Sequence, residues 1–296
     1  AKSFMRQTIY FFVTGLLLLQ GCLMNDDIGQ QDEARRAENE QLINQYVAAN
    51  NLQVQTSASG LRYKLFPASA SGATPKLGDQ IVMSYVGRLT NRTLFDSALN
   101  NPNNFIRFPF RVNAALPGID EVAGYMKKGD SAVALMPFYL AFGSEAAYNG
   151  KVPAYSPIVF ETRLVDVQTE DEALQDYIVR RKFPADSVVK TTSGLYYYFT
   201  KRNPTGTAVS GRSTGTMRYK GMFVNGAVFG QTQNSQTANF NVNGMIVGFK
   251  EGLNLMRTGE KILLMMPSSI GYGTQGDGTI PPYAPLVFEL EVVTVN

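Results

Sequence analysis

Residues 261–266 (KILLMM) are apolar and β-prone, and residues 286–293 (LVFELEVV) alternate well enough for a second strand. Between them, residues 267–285 form a loop dense in Gly, Ser and Pro that still carries Ile270, Tyr272, Ile280 and Tyr283. Such a loop between two core strands is either a hairpin connection packed on its own side chains or one wall of a binding site.

The pattern occurs twice. Residues 129–167 repeat it, with Pro137 matching Pro267 and Gly143 matching Gly273 at an offset of 130, and Phe160 matching Phe288 at 128. Upstream, Ser59-Gly60-Leu61 matches Ser193-Gly194-Leu195, Tyr85 matches Tyr219 and Phe95 matches Phe229, all at 134, and Gly118 matches Gly248 at 130. A period this long is too large for a solenoid and describes a duplicated domain whose indels sit in loops. Each copy opens with a helical stretch. In residues 40–50, Leu42, Ile43, Tyr46 and Val47 share one face; in residues 172–180, Leu174, Tyr177 and Ile178 do. A strand follows each, at 61–65 and 195–199. A second helix is expected at 119–127 and at 249–256, each stopped by a glycine, Gly129 or Gly259.

Several motifs, in the same order in both copies, resemble FKBP-type peptidyl-prolyl isomerases. They are PFYLAFG (137–143) and PSSIGYG (267–273), VPAYSPIVFE (152–161) and IPPYAPLVFE (280–289), YVGRL with LFDS (85–89 and 94–97), and NAALPGI (113–119). The resemblance implies an α+β fold with two FKBP-like domains, each a twisted antiparallel sheet of about five strands wrapped on one short helix. It also implies an apolar pocket between that helix and the concave sheet face. Carried over position by position, the pocket of the first domain comprises Tyr85, Phe95, Asp96, Phe110, Leu116, Ile119, Phe142, Val152 and Phe160. That of the second comprises Tyr219, Phe229, Phe240, Ile246, Phe249, Tyr272, Ile280 and Phe288, with Tyr272, Phe229, Phe249 and Phe288 as the catalytic set.

Both copies depart from the family pattern. Ile119 stands where the family has a floor tryptophan, and Phe142 where it has a tyrosine whose hydroxyl meets the ligand carbonyl. The second copy keeps Tyr272 and an aromatic floor, Phe249, but has Gly230 where the first has Asp96. Losing one hydroxyl costs about 0.5–1.5 kcal/mol, about threefold to tenfold in rate. Weak to moderate isomerase activity is therefore expected, with the second domain the better site. The alternative is a scaffold or chaperone subunit of an outer-membrane export or assembly complex, with both pockets decayed. An open cleft at Tyr272 and Phe249 favours the enzyme; clefts filled by residues 148–152 or 273–280 favour the scaffold.

Composition narrows the chemistry. The chain has no His, which excludes Ser-His-Asp triads, Cys-His dyads and imidazole metal sites. No P-loop motif occurs, and the carboxylates lack the spacing of a metal cage or a glycosidase pair. No metal and no cofactor is expected. Aromatic and aliphatic pockets suit prolyl isomerisation, where the barrier of about 18–20 kcal/mol comes from amide resonance and no bond to carbon breaks. Net charge is +3, and +1 without Lys2 and Arg6, which gives no electrostatic case for nucleic acid.

Residues 1–21 read as a lipoprotein signal peptide. Lys2 and Arg6 precede an apolar run of 11 residues, 9–19, too short to span a bilayer, and the run ends in Leu-Gln-Gly-Cys22. Cys22 is the single cysteine and the expected lipidation site, attaching the chain to a lipid membrane. Leu23 is not the Asp of inner-membrane retention, so an outer-membrane lipoprotein is expected, on the periplasmic or cell-surface face. Asn25-Asp26-Asp27 fits either an acidic surface-export tag or an ordinary charged linker. Residues 22–40 are polar without apolar period and read as a tether, followed by domain one at 41–168 and domain two at 169–296. The short, Gly- and Pro-free junction at 168–171 implies little freedom between domains. The expected clients are proline-containing polypeptides. An asparagine-rich insertion, residues 100–104, is absent from the second copy and is either a partner contact or a solvated loop.

Overall fold

The apolar run Ile262 to Met266 has no alternation because both of its faces are covered. Ile262, Leu264 and Met266 face one core cluster, while Leu263 and Met265 face another. This two-sided burial recurs in both domains of the computed structural model, which describes residues 23–68 and 71–296. The leader and Cys22 lie outside the described residues.

The first domain comprises α1 (Leu23–Ala49), β1 (Gln55–Thr56), β2 (Arg62–Phe66), β3 (Gln80–Leu89), β4 (Leu94–Ala98), β5 (Ile106–Pro109), α2 (Pro117–Tyr125), β6 (Ser131–Met136) and β7 (Ile158–Gln168). The second comprises α3 (Glu170–Arg180), β8 (Val189–Lys190), β9 (Tyr196–Lys201), β10 (Thr214–Phe223), β11 (Val228–Gln231), β12 (Ala238–Asn241), α4 (Val247–Asn254), β13 (Lys261–Met266) and β14 (Leu286–Val295). The sheets have the same order, β1-β2-β6-β7-β3-β4 with β5 also on β3, and β8-β9-β13-β14-β10-β11 with β12 also on β10. Each has seven strands rather than the five expected. The two-residue edge strands β1 and β8 carry no period, and β4 and β5 share one edge of β3 on either side of the asparagine insertion.

The concave face of each sheet wraps its helix. Ile119, Val122, Ala123 and Met126 pack on Met83, Phe108, Phe110 and Phe160, and Phe249, Leu253 and Met256 pack on Leu264 and Phe288. The opposite face is covered by the lead-in helix. Ile43 is fully buried on Leu135 and Val159, and Leu174, Tyr177 and Ile178 pack on Leu263, Met265 and Val287. A glycine in each central strand admits a ring at close range: a Cβ on Gly87 would lie 2.5 Å from the Phe95 ring, and one on Gly221 2.5 Å from Phe229.

Residues 23–40 differ from the tether expected there. They continue the helix to make α1 a single 27-residue helix. The segment from residue 32 is rich in Glu, Ala and Arg, good helix formers whose polar character hides the helix from an apolar-period search. It is also anchored. Asn39, 1% exposed, donates to the carbonyls of Arg35 (3.0 Å) and Tyr155 (2.9 Å) and accepts from the Phe138 amide (2.9 Å). The Arg36 guanidinium lies 4.0 Å from the Tyr139 ring centroid.

Only Thr169 separates β7 from α3, and it caps α3 in a reciprocal box with Glu172. The domains touch directly. The Gln80 side chain donates to the Tyr283 carbonyl at 2.8 Å, Arg107 Nε lies 3.4 Å from Asp176, and Gly78 packs under the Tyr283 ring.

Candidate functional site

Tyr85 on β3 and Phe160 on β7 stack with ring centroids 4.8 Å apart. They form the base of a cleft of about 740 Å³ in the first domain. Leu116 and Ile119 enter from the start of α2, Asp96 from β4, and Phe142 and Tyr148 from the loop between β6 and β7. The Tyr85 hydroxyl donates to Asp96 Oδ2 at 2.5 Å, and Asp96 Oδ1 accepts from the Ser97 amide at 2.8 Å. Burial first, and then the bond to Asp96, hold the Tyr85 phenol well above its ordinary value. Tyr148 joins the same group. Burial, reinforced by the neighbouring Asp96 charge, pushes its phenol up to about 12.

In the second domain a cleft of about 560 Å³ is lined by Tyr219, Phe229, Ile246, Phe249, Tyr272, Ile280 and Phe288. Phe288 is the hub. Phe249 meets it edge-on with centroids 5.1 Å apart, and Phe229 does so at 5.6 Å. Gly230 faces Tyr219, where a Cβ would lie 3.6 Å from the hydroxyl. Tyr272 is half-buried, and burial, then the charges of Asp277 and Tyr219, raise its phenol above the ordinary value. Its hydroxyl has no hydrogen-bond partner among the described residues.

Of the residues named from sequence, Tyr85, Asp96, Leu116, Ile119, Phe142 and Phe160 line the first cleft. Four others stand behind the walls. Phe110 is 1% exposed and packs against Gly124 of α2. Val152 is fully buried, and its carbonyl closes the loop through the Ala147 amide. Phe95 lies edge-on beneath Phe142, with centroids 6.1 Å apart. Phe240 is paired on β12 against Gly215. Phe95 and Phe240 are strand aromatics turned to the core face, whereas Phe110 follows β5 in a turn and Val152 lies in the β6–β7 loop.

Tyr148 is the residue that the sequence did not single out. It lies between Phe95, tilted at 5.1 Å, and Phe142, edge-on at 5.6 Å, and brings a hydroxyl to a wall whose usual position holds Phe142. Tyr148 and Asn149 both have positive φ, 53° and 56°, an uncommon conformation for a bulky residue. Its one sequence signal is a tyrosine placed directly before the turn pair Asn149-Gly150. Neither loop fills its cleft; Tyr148 and Ile280 line open space.

The family model of the FKBP-type peptidyl-prolyl cis-trans isomerases matches residues 72–165 and 206–293. The chain belongs to this family. It is 30% identical over 195 residues to the Escherichia coli FKBP-type 22 kDa peptidyl-prolyl cis-trans isomerase, covering 60% of this chain and 92% of that one. It is 23% identical over 256 residues to the rat peptidyl-prolyl cis-trans isomerase FKBP9, covering 85% of this chain but only 40% of the rat protein. A crystal structure of a Pseudomonas syringae isomerase aligns at a TM-score of 0.38 with 29% identity, over 43% of this chain and 93% of that one. Both family matches contain the cleft residues and exclude α1 and α3, the helices that cover the outer sheet faces.

Proposed function

We propose that the chain catalyses cis–trans isomerisation of Xaa-Pro bonds in exported polypeptides, from a lipid anchor at the outer membrane. The observation that carries this reading is the open aromatic cleft at Phe249 and Tyr272 in a chain of this family. A proline ring on Phe249, between Phe229 and Phe288, removes water from the preceding carbonyl. The twisted amide has lost resonance and is less polar than the planar one, so an apolar site favours it. The free Tyr272 hydroxyl then donates to the carbonyl oxygen and holds it while the bond rotates. In the first domain the Tyr85 hydroxyl is committed to Asp96, which ranks that site second.

Exchange in a proline peptide, followed by NMR, tests the reading. Acceleration over the uncatalysed tens of seconds, lost in Phe249→Ala and reduced about threefold to tenfold in Tyr272→Phe, is expected. No acceleration at high protein concentration overturns catalysis and leaves the scaffold reading. That reading is favoured by one observation, the split loss of Asp96's counterpart in one copy and Tyr272's in the other.

The anchor reading rests on Leu-Gln-Gly-Cys22 after a short apolar run. Cys22→Ser is expected to move the protein from the membrane to the soluble fraction; unchanged fractionation removes the anchor. Among the described residues no helix is long and apolar enough to cross a membrane.

A further inference from the structure

The first cleft is not closed by its own domain. Asn225, Gly226 and Ala227, the turn between β10 and β11 of the second domain, form part of its wall. On the facing lip stand Asn103 and Asn104, from the asparagine insertion that the second copy lacks. A further cavity of about 200 Å³ lies between the domains and reaches Pro281 and Pro285. Arg107, Phe108, Ala114, Asn225 and Ala227 line both spaces, so the two adjoin.

Arg107 fixes the two lips relative to each other. Its side chain, 8% exposed, donates to the carbonyls of Pro102 (2.8 Å) and Phe105 (3.2 Å), which hold the insertion. Its Nε lies 3.4 Å from Asp176 on α3, and its own carbonyl accepts from Asn225 Nδ2 at 3.5 Å. A buried guanidinium that hydrogen-bonds the insertion on one side and lies at ion-pair distance from the second domain on the other ties both lips to one residue.

We infer that the first cleft continues as a groove between the domains and that this groove holds the residues flanking the proline as an extended main chain. The inference rests on the reading that the first cleft accepts a proline-containing polypeptide. Its chemistry matches that occupant. The side-chain amides of Asn103 and Asn104 are exposed and can both donate to and accept from peptide groups without reading side chains. Phe108, Ala114 and the Pro281–Pro285 loop supply apolar contact. The groove carries no acidic side chain beyond Asp96, which Tyr85 already engages. Isolated prolines thus bind in either domain, whereas unfolded segments gain a second region of contact in the first domain alone.

Binding of labelled peptides to the full chain in detergent, by fluorescence anisotropy, tests this. The probes are a blocked Ala-Leu-Pro-Phe peptide and two longer ones of about twelve residues, roughly 40 Å when extended, lengthened with Ser, Thr and Ala on one side of the proline or the other. One of the longer peptides is expected to bind about fivefold or more tighter than the short one, equivalent to about 1 kcal/mol. That ratio, read within each variant, is expected to fall to within about twofold of unity in Ala227→Trp, which narrows the groove from an exposed turn, and in the Asn103→Ala, Asn104→Ala pair. Equal affinities for all lengths in the wild type overturn the groove, and so does a length gain that survives both variants. A length gain lost in both variants, together with no NMR exchange enhancement, overturns catalysis and leaves the groove standing.

Discussion

The Tyr85 hydroxyl donates to Asp96 at 2.5 Å, and at the matching position of the second domain Gly230 stands beside the Tyr219 hydroxyl in place of a carboxylate. One copy therefore spends a carboxylate on orienting a phenol, and the other leaves that side of its cleft bare. Tyr85 is 7% exposed, so removing its acceptor strands a buried hydroxyl. Asp96→Ala is expected to lower stability by about 1–3 kcal/mol, and Asp96→Asn, which retains an acceptor, by less than about 1. Calorimetric melting of both variants checks this; equal losses would mean that the bond contributes nothing.

The same cluster sets an alkaline limit. The Tyr85 and Tyr148 phenols titrate above the ordinary value, Tyr148 at about 12. Between the unfolded value of about 10 and the folded value, the native state binds more protons than the unfolded state, so stability falls as pH rises. The Tyr148 contribution is complete below about pH 10 and is lost as pH rises through about 12, whereas that of Tyr85 persists to higher pH. Absorbance titration should show late-ionising phenols, one fewer in Tyr148→Phe, with urea midpoints dropping over the same window. Phenols that all ionise near the ordinary value would contradict the buried cluster.

Asn39 and Glu170 are equivalent residues in the two lead-in helices, and each holds the loop that carries its cleft's aromatic wall. Asn39 accepts from the Phe138 amide, whereas Glu170 accepts from the Ser268 amide and from its hydroxyl at 2.7 Å. Asn39 also ties Tyr155, so one side chain fastens both ends of the loop bearing Phe142 and Tyr148. Asn39→Ala leaves buried backbone groups unpaired and is expected to cost about 1–3 kcal/mol and to weaken the first cleft. Burial raises the Glu170 carboxyl despite its bonds to Ser268. The stability it gives is therefore full below the unfolded pKa and is lost as pH rises through the folded one. Glu170→Gln keeps an acceptor without that cost, so it should be neutral or stabilising at pH 7, while Glu170→Ala destabilises. Melting at neutral and acidic pH separates the two.

The duplication, the helix-then-strand order of elements and most of the cleft were legible because they repeat. Tyr85 with Tyr219, Phe95 with Phe229 and Phe160 with Phe288 recur at offsets of 128 to 134 among turn formers that mark the loops, and Phe249 and Tyr272 are found at the positions that Ile119 and Phe142 hold in the first copy. Four features depend on contacts that no local pattern encodes. The first half of α1 is helical without an apolar stripe, because its anchor is a single asparagine reaching 99 and 116 residues along the chain. Tyr148 enters the cleft through two left-handed residues, a conformation that residue type argues against. Phe110 and Phe240 fit the pocket motif by position, but the turn after β5 buries the first in the core and β12 buries the second. By sequence the asparagine insertion fits a partner contact or a solvated loop, and only the folded chain puts Asn103 and Asn104 in the lining of one cleft with Asn225 of the second domain.

The junction between domains gives a test with its own control. Gly78 has φ +84°, and a Cβ there would lie 2.7 Å from the Tyr283 ring of the other domain. Gly143 has φ +69° with nothing within 4 Å of such a Cβ. Both substitutions to Ala incur the left-handed backbone cost of about 1–2 kcal/mol. Only Gly78→Ala must also displace Tyr283, and with it the carbonyl that accepts from Gln80 at 2.8 Å. The two variants are therefore expected to lose similar stability within the first domain, but Gly78→Ala alone should split the calorimetric transition into two and expand the chain in small-angle scattering. If both variants melt in one step with the same dimensions as wild type, the domains are held by other contacts, and Arg107 with Asp176 becomes the joint to break next.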